Sequence, residues 1–175
     1  MPTDKQEKIF KQWFGEYKKL IFKVVKTYAN LPQDKDDLFQ EILLQIWSSI
    51  PSFQGTAKET TWIYRVALNT ALVWKRTEKR KRKRCRTEFL DIQEISQAKG
   101  DCDGLPQNQH FLDQVYDSIK QLPKSESSIV LLYLDGLSYD EMVDVLGISK
   151  SNVGVRLNRA KKKLAQLLKG LIDDF

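Results

Sequence analysis

Between Thr60 and Arg86 the chain reads TTWIYRVALNTALVWKRTEKRKRKRCR, rings and amides running into a dense block of cations. Trp62, Ile63, Val66, Ala67, Ala71 and Trp74 recur at helical spacing. Lys75, Arg76, Lys79, Arg80, Lys81, Arg82, Lys83, Arg84 and Arg86 follow, opposed only by Glu78. Aromatic rings beside a cationic helix suit single-stranded or melting nucleic acid, because bases stack on rings while phosphates meet Lys and Arg. The competing reading is a core helix with a solvated, charged end. A second cationic set, Lys150, Arg156, Arg159, Lys161, Lys162 and Lys163, lies near the C-terminus with Ser151, Asn152 and Asn158 among it. Arg156 and Arg159 are one helical turn apart, so they can address neighbouring phosphates or base edges.

Both sets must be carried by helices. Ile9, Phe10, Trp13, Phe14, Tyr17, Leu20, Ile21, Val24, Val25 and Tyr28 form a stripe that predicts a helix over about 5–29, ended by Leu31-Pro32. A second helix is predicted from about Asp36 to Ile50, with Leu38, Phe39, Ile42, Leu43, Ile46 and Trp47 on one face. Asp34, Asp36 and Asp37 at its start complement the helix dipole. The loop PSFQGTAKE leads into a third helix over about 60–84. Later, Phe111–Leu122 forms one helix and Pro123 starts the next, whose stripe is Ile129, Leu132 and Tyr133. Ser138 and Glu141 are spaced as a capping box ahead of a short helix, Tyr139–Leu146. Gly147 supplies a turn, and Ser149 caps a last helix running to about Leu168, with Val153, Leu157, Ala160 and Leu164 inward. A short capped helix, a glycine turn and a polar-faced second helix make a helix-turn-helix, which can enter a major groove about 12 Å wide. Gly154 interrupts that second helix at a cost of ~1 kcal/mol relative to Ala, which close approach to a phosphate would explain.

No strand pattern is present. The expected fold is all-α: two small helical domains, 1–86 and 111–175, joined by a flexible acidic linker over 87–110, the second domain being the helix-turn-helix. Seven carboxylates stand in the stretch 87–117 against the single Lys99, so the net charge of +6 resolves into two basic zones and an acidic connector. A short helical turn is expected around Phe89–Ile95. Cys85 and Cys102 are read as free thiols, and with the single His110 they cannot complete a zinc site. The N-terminal MPTDKQEKIFKQWF carries no long apolar run, so neither a signal peptide nor a membrane span is expected. No clustered carboxylates or metal ligands suggest an enzyme, and no cofactor is expected.

Three blocks together point to a family: DKDDLFQEILLQIW at 34–47, FQGTAKETTWIYRVALN at 53–69, and LPKSESSIVLLYLDGLSYDEMVDVLGISKSNVGVRLNRAKKKL at 122–164. In this order they resemble the extracytoplasmic-function (ECF) sigma factors of bacterial RNA polymerase, over about 9–168. The resemblance implies a cytoplasmic, non-catalytic specificity subunit that binds core RNA polymerase, recognises promoter DNA and helps to open it. Residues 1–86 would be sigma domain two and 111–175 sigma domain four. Asp37, Gln40, Glu41 and Gln45 would dock on the polymerase clamp helices. Phe53, Gln54, Gly55, Lys58, Trp62, Tyr64, Arg65, Asn69, Lys75, Arg76, Lys79 and Arg80 would meet the minus-ten element, with a base of the melted non-template strand flipped into the Phe53–Lys58 loop. Trp62 and Asn69 also have a structural reading, in the core and as a brace for the loop. Glu59 stands where many members carry an aromatic. Lys150, Ser151, Asn152, Arg156, Asn158, Arg159 and Lys161 would meet double-stranded DNA at the minus-thirty-five element, with Asn152 and Gly154 departing from the residues common there. The acidic linker could mimic nucleic acid near the polymerase active centre. Family members are commonly held inactive by an anti-sigma factor, which is implied as a further partner, with no small-molecule substrate and no direct membrane insertion. An autonomous helix-turn-helix regulator is the alternative, and it needs neither the 34–47 helix nor the aromatic-basic one.

Overall fold

The computed structural model describes residues 4–88 and 107–172, with side chains over 4–82 and 111–169. Seven helices and one 3-10 turn account for their regular structure: α1 (Asp4–Tyr28), α2 (Pro32–Ser49), the 3-10 turn Ile50–Ser52, α3 (Glu59–Glu88), α4 (Gln107–Gln121), α5 (Lys124–Leu134), α6 (Tyr139–Leu146) and α7 (Lys150–Ile172). The fold is all-α, as expected. Two boundaries differ instructively. Pro32 does not merely end α1: it occupies the first turn of α2, where its missing N–H costs no hydrogen bond. The third helix continues four residues past the expected end, to Glu88. The expected turn at Phe89–Ile95, the bulk of the acidic linker with Cys102, and the side chains of Lys83, Arg84, Cys85 and Arg86 lie outside the described residues.

Helices α1–α3 form a three-helix bundle. Leu20, Ile21, Val24 and Val25 of α1, Leu38, Ile42 and Ile46 of α2, and Ile63, Ala67, Leu68 and Ala71 of α3 are all buried in one core. In α2 the buried residues fall every fourth position, so the opposite face stays wet. The helix-turn-helix is built as its sequence directs. The Ser138 hydroxyl accepts from the Glu141 N–H at 3.2 Å, and the Ser138 N–H donates to Glu141 Oε2 at 2.8 Å. Gly147 ends α6 at φ +65°, a left-handed conformation that favours glycine. Val153, Leu157 and Ala160 hold α7 inward, each fully buried.

The two halves also pack on each other. Leu131, Leu132, Met142, Val145 and Val153 belong to the same core as α1–α3. The cause lies in α5, where Ile129, Val130, Leu131 and Leu132 are consecutive and all buried. A helix that is apolar all round must be covered on more than one side; here α7 packs on it and α1 lies against it. Polar contacts finish the junction: Lys23 with Asp135, Lys26 with Asp113, and the Tyr28 hydroxyl with Ser128 and the Lys124 carbonyl.

Burial pushes the Tyr28 phenol up to about 12 from the ordinary 10.0. The folded chain keeps this proton after the unfolded chain has lost it, so stability falls as pH rises from about 10 to 12. The free energy of urea unfolding should therefore decline across that window. In Tyr28→Phe the decline should be shallower, at a cost of about 1 kcal/mol near neutral pH for the missing hydrogen bonds.

Candidate nucleic-acid and polymerase interfaces

On α2 the exposed face presents Asp37, Gln40 and Gln45, with Glu41 half-buried beside them. Gln45 donates to Glu41 Oε1 at 3.0 Å, which fixes both side chains along the helix. Across from them runs a groove of about 470 Å³, whose α2 wall includes Glu41 and Gln45 and whose α3 wall includes Asn69, Val73, Trp74 and Lys81. The structure thus sets two of the expected polymerase-facing residues of α2, Glu41 and Gln45, beside Asn69, an expected promoter contact. Asn69 is exposed on this groove, and none of the hydrogen bonds among the described residues turns it into a brace for the loop. Near the start of α2, Asp34 pairs with Arg82 and ties the far end of α3 to the bundle.

The loop before α3 divides into an anchored part and a free part. Phe53 and Trp62 pack with Trp13 at ring separations of 5.1–5.3 Å, a three-ring cluster on the core. For Trp62 the core reading therefore describes its place, and the cluster fixes the angle at which the loop leaves it. Gln54 and Gly55 remain exposed, with Gly55 at φ +69°. Glu59, where an aromatic is common, accepts from the Tyr17 hydroxyl at 3.2 Å and so helps hold the first turn of α3 to α1.

Four of the expected minus-ten residues turn toward the other half of the chain. Tyr64 is buried, and this burial, followed by the hydrogen bond its hydroxyl donates to Asp135, raises its pKa far above the ordinary value. Lys58 pairs with Glu141 at 2.7 Å. With the Ser138 N–H on the other oxygen, this holds the Glu141 carboxyl down at about 2. Lys75 lies near the Tyr28 ring, 5.8 Å from its centroid. Burial lowers its pKa, and the charges of Lys124 and Lys120 lower it further. Arg76 lines a cleft of about 280 Å³ with Leu72, Lys124, Leu146, Ile148 and Arg156. Arg65 is half-buried with its Nε unpartnered among the described residues, whereas Lys79 and Arg80 are exposed.

On α7 the expected upstream-element residues divide similarly. Ser151, Asn158 and Arg159 are exposed; Lys150 is exposed and pairs with Asp140 at 2.9 Å. Arg156 does not stand outside as its spacing suggested: it is half-buried, and its Nε donates to Asn152 Oδ1 at 3.0 Å. Lys161 sits 3.7 Å above the Tyr133 ring, and Lys163 donates to Glu126 at 2.9 Å. Of that lysine run only Lys162 has no partner among the described residues. No packing within the protein requires glycine at 154, since a Cβ there would meet only the Tyr139 ring, at an ordinary 3.8 Å. Asp135 proves to be a partner of α1 and α3, and Glu141 of Lys58 just before α3, roles that nothing local to either residue signals in the sequence.

Comparison with known proteins agrees with this architecture. Residues 13–81 match Sigma-70 region 2, and residues 112–164 match Sigma-70, region 4. The chain is 30% identical over 156 residues to the RNA polymerase sigma factor SigZ of Bacillus subtilis, covering 83% of this chain and 81% of that protein. It is 25% identical to the ECF RNA polymerase sigma-E factor of Haemophilus influenzae, over 95% of this chain and 90% of its length. The sigma factor RpoE of Bartonella quintana, solved in complex with the anti-sigma factor NepR, shares the fold. Its TM-score is 0.69 at 20% identity, over 93% of this chain and 98% of that one. On these matches, with a carboxylate-faced α2 beside α3 and a capped helix-turn-helix after it, the chain belongs to the ECF sigma factors of RNA polymerase.

Proposed function

We propose that this chain binds core RNA polymerase through Asp37, Gln40, Glu41 and Gln45, directs it to promoters, and helps to open them, without catalytic activity of its own. The observation that carries the reading is the groove where Glu41 and Gln45 of α2 stand opposite Asn69 of α3. A polymerase docked on α2 would thereby place α3 and the exposed Gln54-Gly55 segment next to DNA held by the same enzyme. The helix α7 supplies the second contact, in double-stranded DNA upstream. No helix among the described residues is long and apolar enough to cross a membrane, which accords with work in the cytoplasm. The fold it shares with a sigma factor solved on its anti-sigma factor supports a protein partner of that class here as well.

The test is transcription by purified core polymerase on fragments from the source genome. Start sites that appear only when the chain is added support the reading. Failure to form a complex with core polymerase, or sequence-specific DNA binding that core enzyme leaves unchanged, would overturn it in favour of an autonomous regulator.

A further inference from the structure

The contacts that join the two halves leave one set of charges uncompensated. Lys23, Lys26 and Lys58 each hold a carboxylate across the junction. Arg76, Lys124 and Arg156 do not. They converge from α3, α5 and α7 on the cleft of about 280 Å³, and among the described residues none of them is in an ion pair. Lys75 adds a fourth cation beside them: burial lowers its pKa, and the charges of Lys124 and Lys120 lower it further. Like charges gathered without a counterion oppose the packing that gathers them. The carboxylate in the first turn of α5 does not answer them, since Glu126 is buried and held through both oxygens by Lys163, at 2.9 and 3.0 Å.

The donors at this cleft are also free. The Arg156 Nε donates to Asn152, which fixes the guanidinium plane and leaves its two terminal nitrogens without a partner among the described residues. Helix α5, 11 residues long, begins here with no side-chain cap. The Pro123 carbonyl takes the N–H groups of Glu126 and Ser127, whereas those of Lys124 and Ser125 have no acceptor among the described residues. The start of a helix adds partial positive charge to that of the side chains. Ser125 brings an exposed hydroxyl to the same wall.

We propose that this cleft is an anion site for an oligophosphate, a short chain of phosphate groups joined by anhydride bonds, held by Arg76, Lys124 and Arg156. Guanidinium forks take phosphate oxygens in pairs, and two forks with an ammonium suit several phosphate groups better than one carboxylate. The volume lies just below the range of about 300–1,000 Å³ common for pockets that enclose a drug-sized ligand, so it accepts the phosphates and leaves any nucleoside outside. A nucleic-acid duplex fits poorly. Its charge runs on in a line, at about 3.4 Å per step of each strand, whereas these cations converge on one concavity. An anion bound here neutralises charge on α3, α5 and α7 at once and stabilises their packing. The site is independent of the reading of α3 and α7 as promoter contacts, and Lys124 has no part in that reading.

Inorganic pyrophosphate and the full chain test the site, at constant ionic strength so that screening does not change. Calorimetric titration reads the dissociation constant, and circular dichroism reads thermal unfolding. With pyrophosphate about a hundredfold above its dissociation constant, the wild-type midpoint should rise by about 5–10 °C. Lys124→Ala should weaken pyrophosphate binding about tenfold. Lys124→Glu should abolish it and, by setting a carboxylate among the cations, raise the midpoint in buffer alone by about 2 °C. Both variants should keep their helix content, because the Lys124 carbonyl that receives the Tyr28 hydroxyl is unchanged. ADP separates two sources of the same chemistry. Binding no tighter than pyrophosphate assigns recognition to the phosphates alone, and tighter binding makes a nucleotide the ligand; either supports the site. No binding by the wild type overturns it. So does a rise in midpoint that persists in both Lys124 variants, which is a general effect of salt. Displacement of pyrophosphate by a short DNA duplex also overturns it and makes the cleft part of a nucleic-acid surface. The promoter reading fails separately, if the wild type cannot direct core polymerase to any start site.

Discussion

Replacing Arg156 and Arg159 together with alanine is expected to weaken binding of the assembled polymerase to the upstream element by about 3 kcal/mol, roughly 150-fold, at low salt. The fold should survive, because the face that anchors α7 is elsewhere. Val153, Leu157 and Ala160 are fully buried against α5 and α6, and alanine is the best helix former available. Arg156 is held by Asn152, so its guanidinium is directed rather than free to wander. Arg159, one turn on, is exposed and in no ion pair among the described residues. If both arginines meet phosphates, the slope of log K against log salt should become shallower by about 0.9 for each phosphate no longer neutralised. A weakened complex with an unchanged slope assigns them to base edges. Unchanged affinity removes α7 from the upstream interface.

The elements that were legible in the sequence are those specified by neighbours along the chain. The α6 bounds and the Ser138–Glu141 box follow from residues three positions apart, and α2 from an apolar residue every fourth place. The placement of candidate side chains on helix faces was legible in the same measure: Glu41 and Gln45 on α2, Asn69 on α3 and Arg159 on α7 stand where helical spacing puts them. The packing of the halves was not. Its polar contacts join Lys23 to Asp135 across 112 positions and Tyr64 to Asp135 across 71. No local pattern encodes such a pairing. One signal was present and points the right way. Ile129–Leu132 is apolar without interruption, which a single stripe through Ile129, Leu132 and Tyr133 does not capture. Tyr133 is in fact 42% exposed and serves as the seat for Lys161. A helix α5 covered on several sides implies that the second half rests on the first, and that Tyr64 and Arg156 share an interface. Trp62, read both as core and as promoter contact, is hard to place because its ring serves packing and base stacking equally well, and the same holds for Phe53, expected only in the base-capturing loop. Only the third ring, Trp13, separated in sequence, shows that they are seated on the core.

Charge reversal at Asp37 and Glu41, by Asp37→Lys with Glu41→Lys, should weaken the complex with core polymerase by about 3 kcal/mol at low salt, again roughly 150-fold. The isolated chain should keep its fold, since the residues that seat α2 are Leu38, Ile42 and Ile46, all buried on the opposite face. Locally the reversal breaks the Gln45 hydrogen bond to Glu41 and places a new cation toward Lys81, whose ammonium is favoured chiefly by its hydrogen bond and ion pair with Glu78 and, to a smaller degree, by the Asp37 charge. Both effects are small where water screens the charges. The larger effect must come from the partner, and it has a signature. Exposed charges act mainly through long-range steering, so the association rate should fall more than the dissociation rate rises. The deficit should narrow as salt is raised and the screening length drops below about 10 Å. The neutral pair Asp37→Asn with Glu41→Gln keeps the shape and should fall between wild type and reversal. A deficit that ignores salt would mean that α2 meets the polymerase through packing rather than charge, and undiminished affinity would take this face out of the interface altogether.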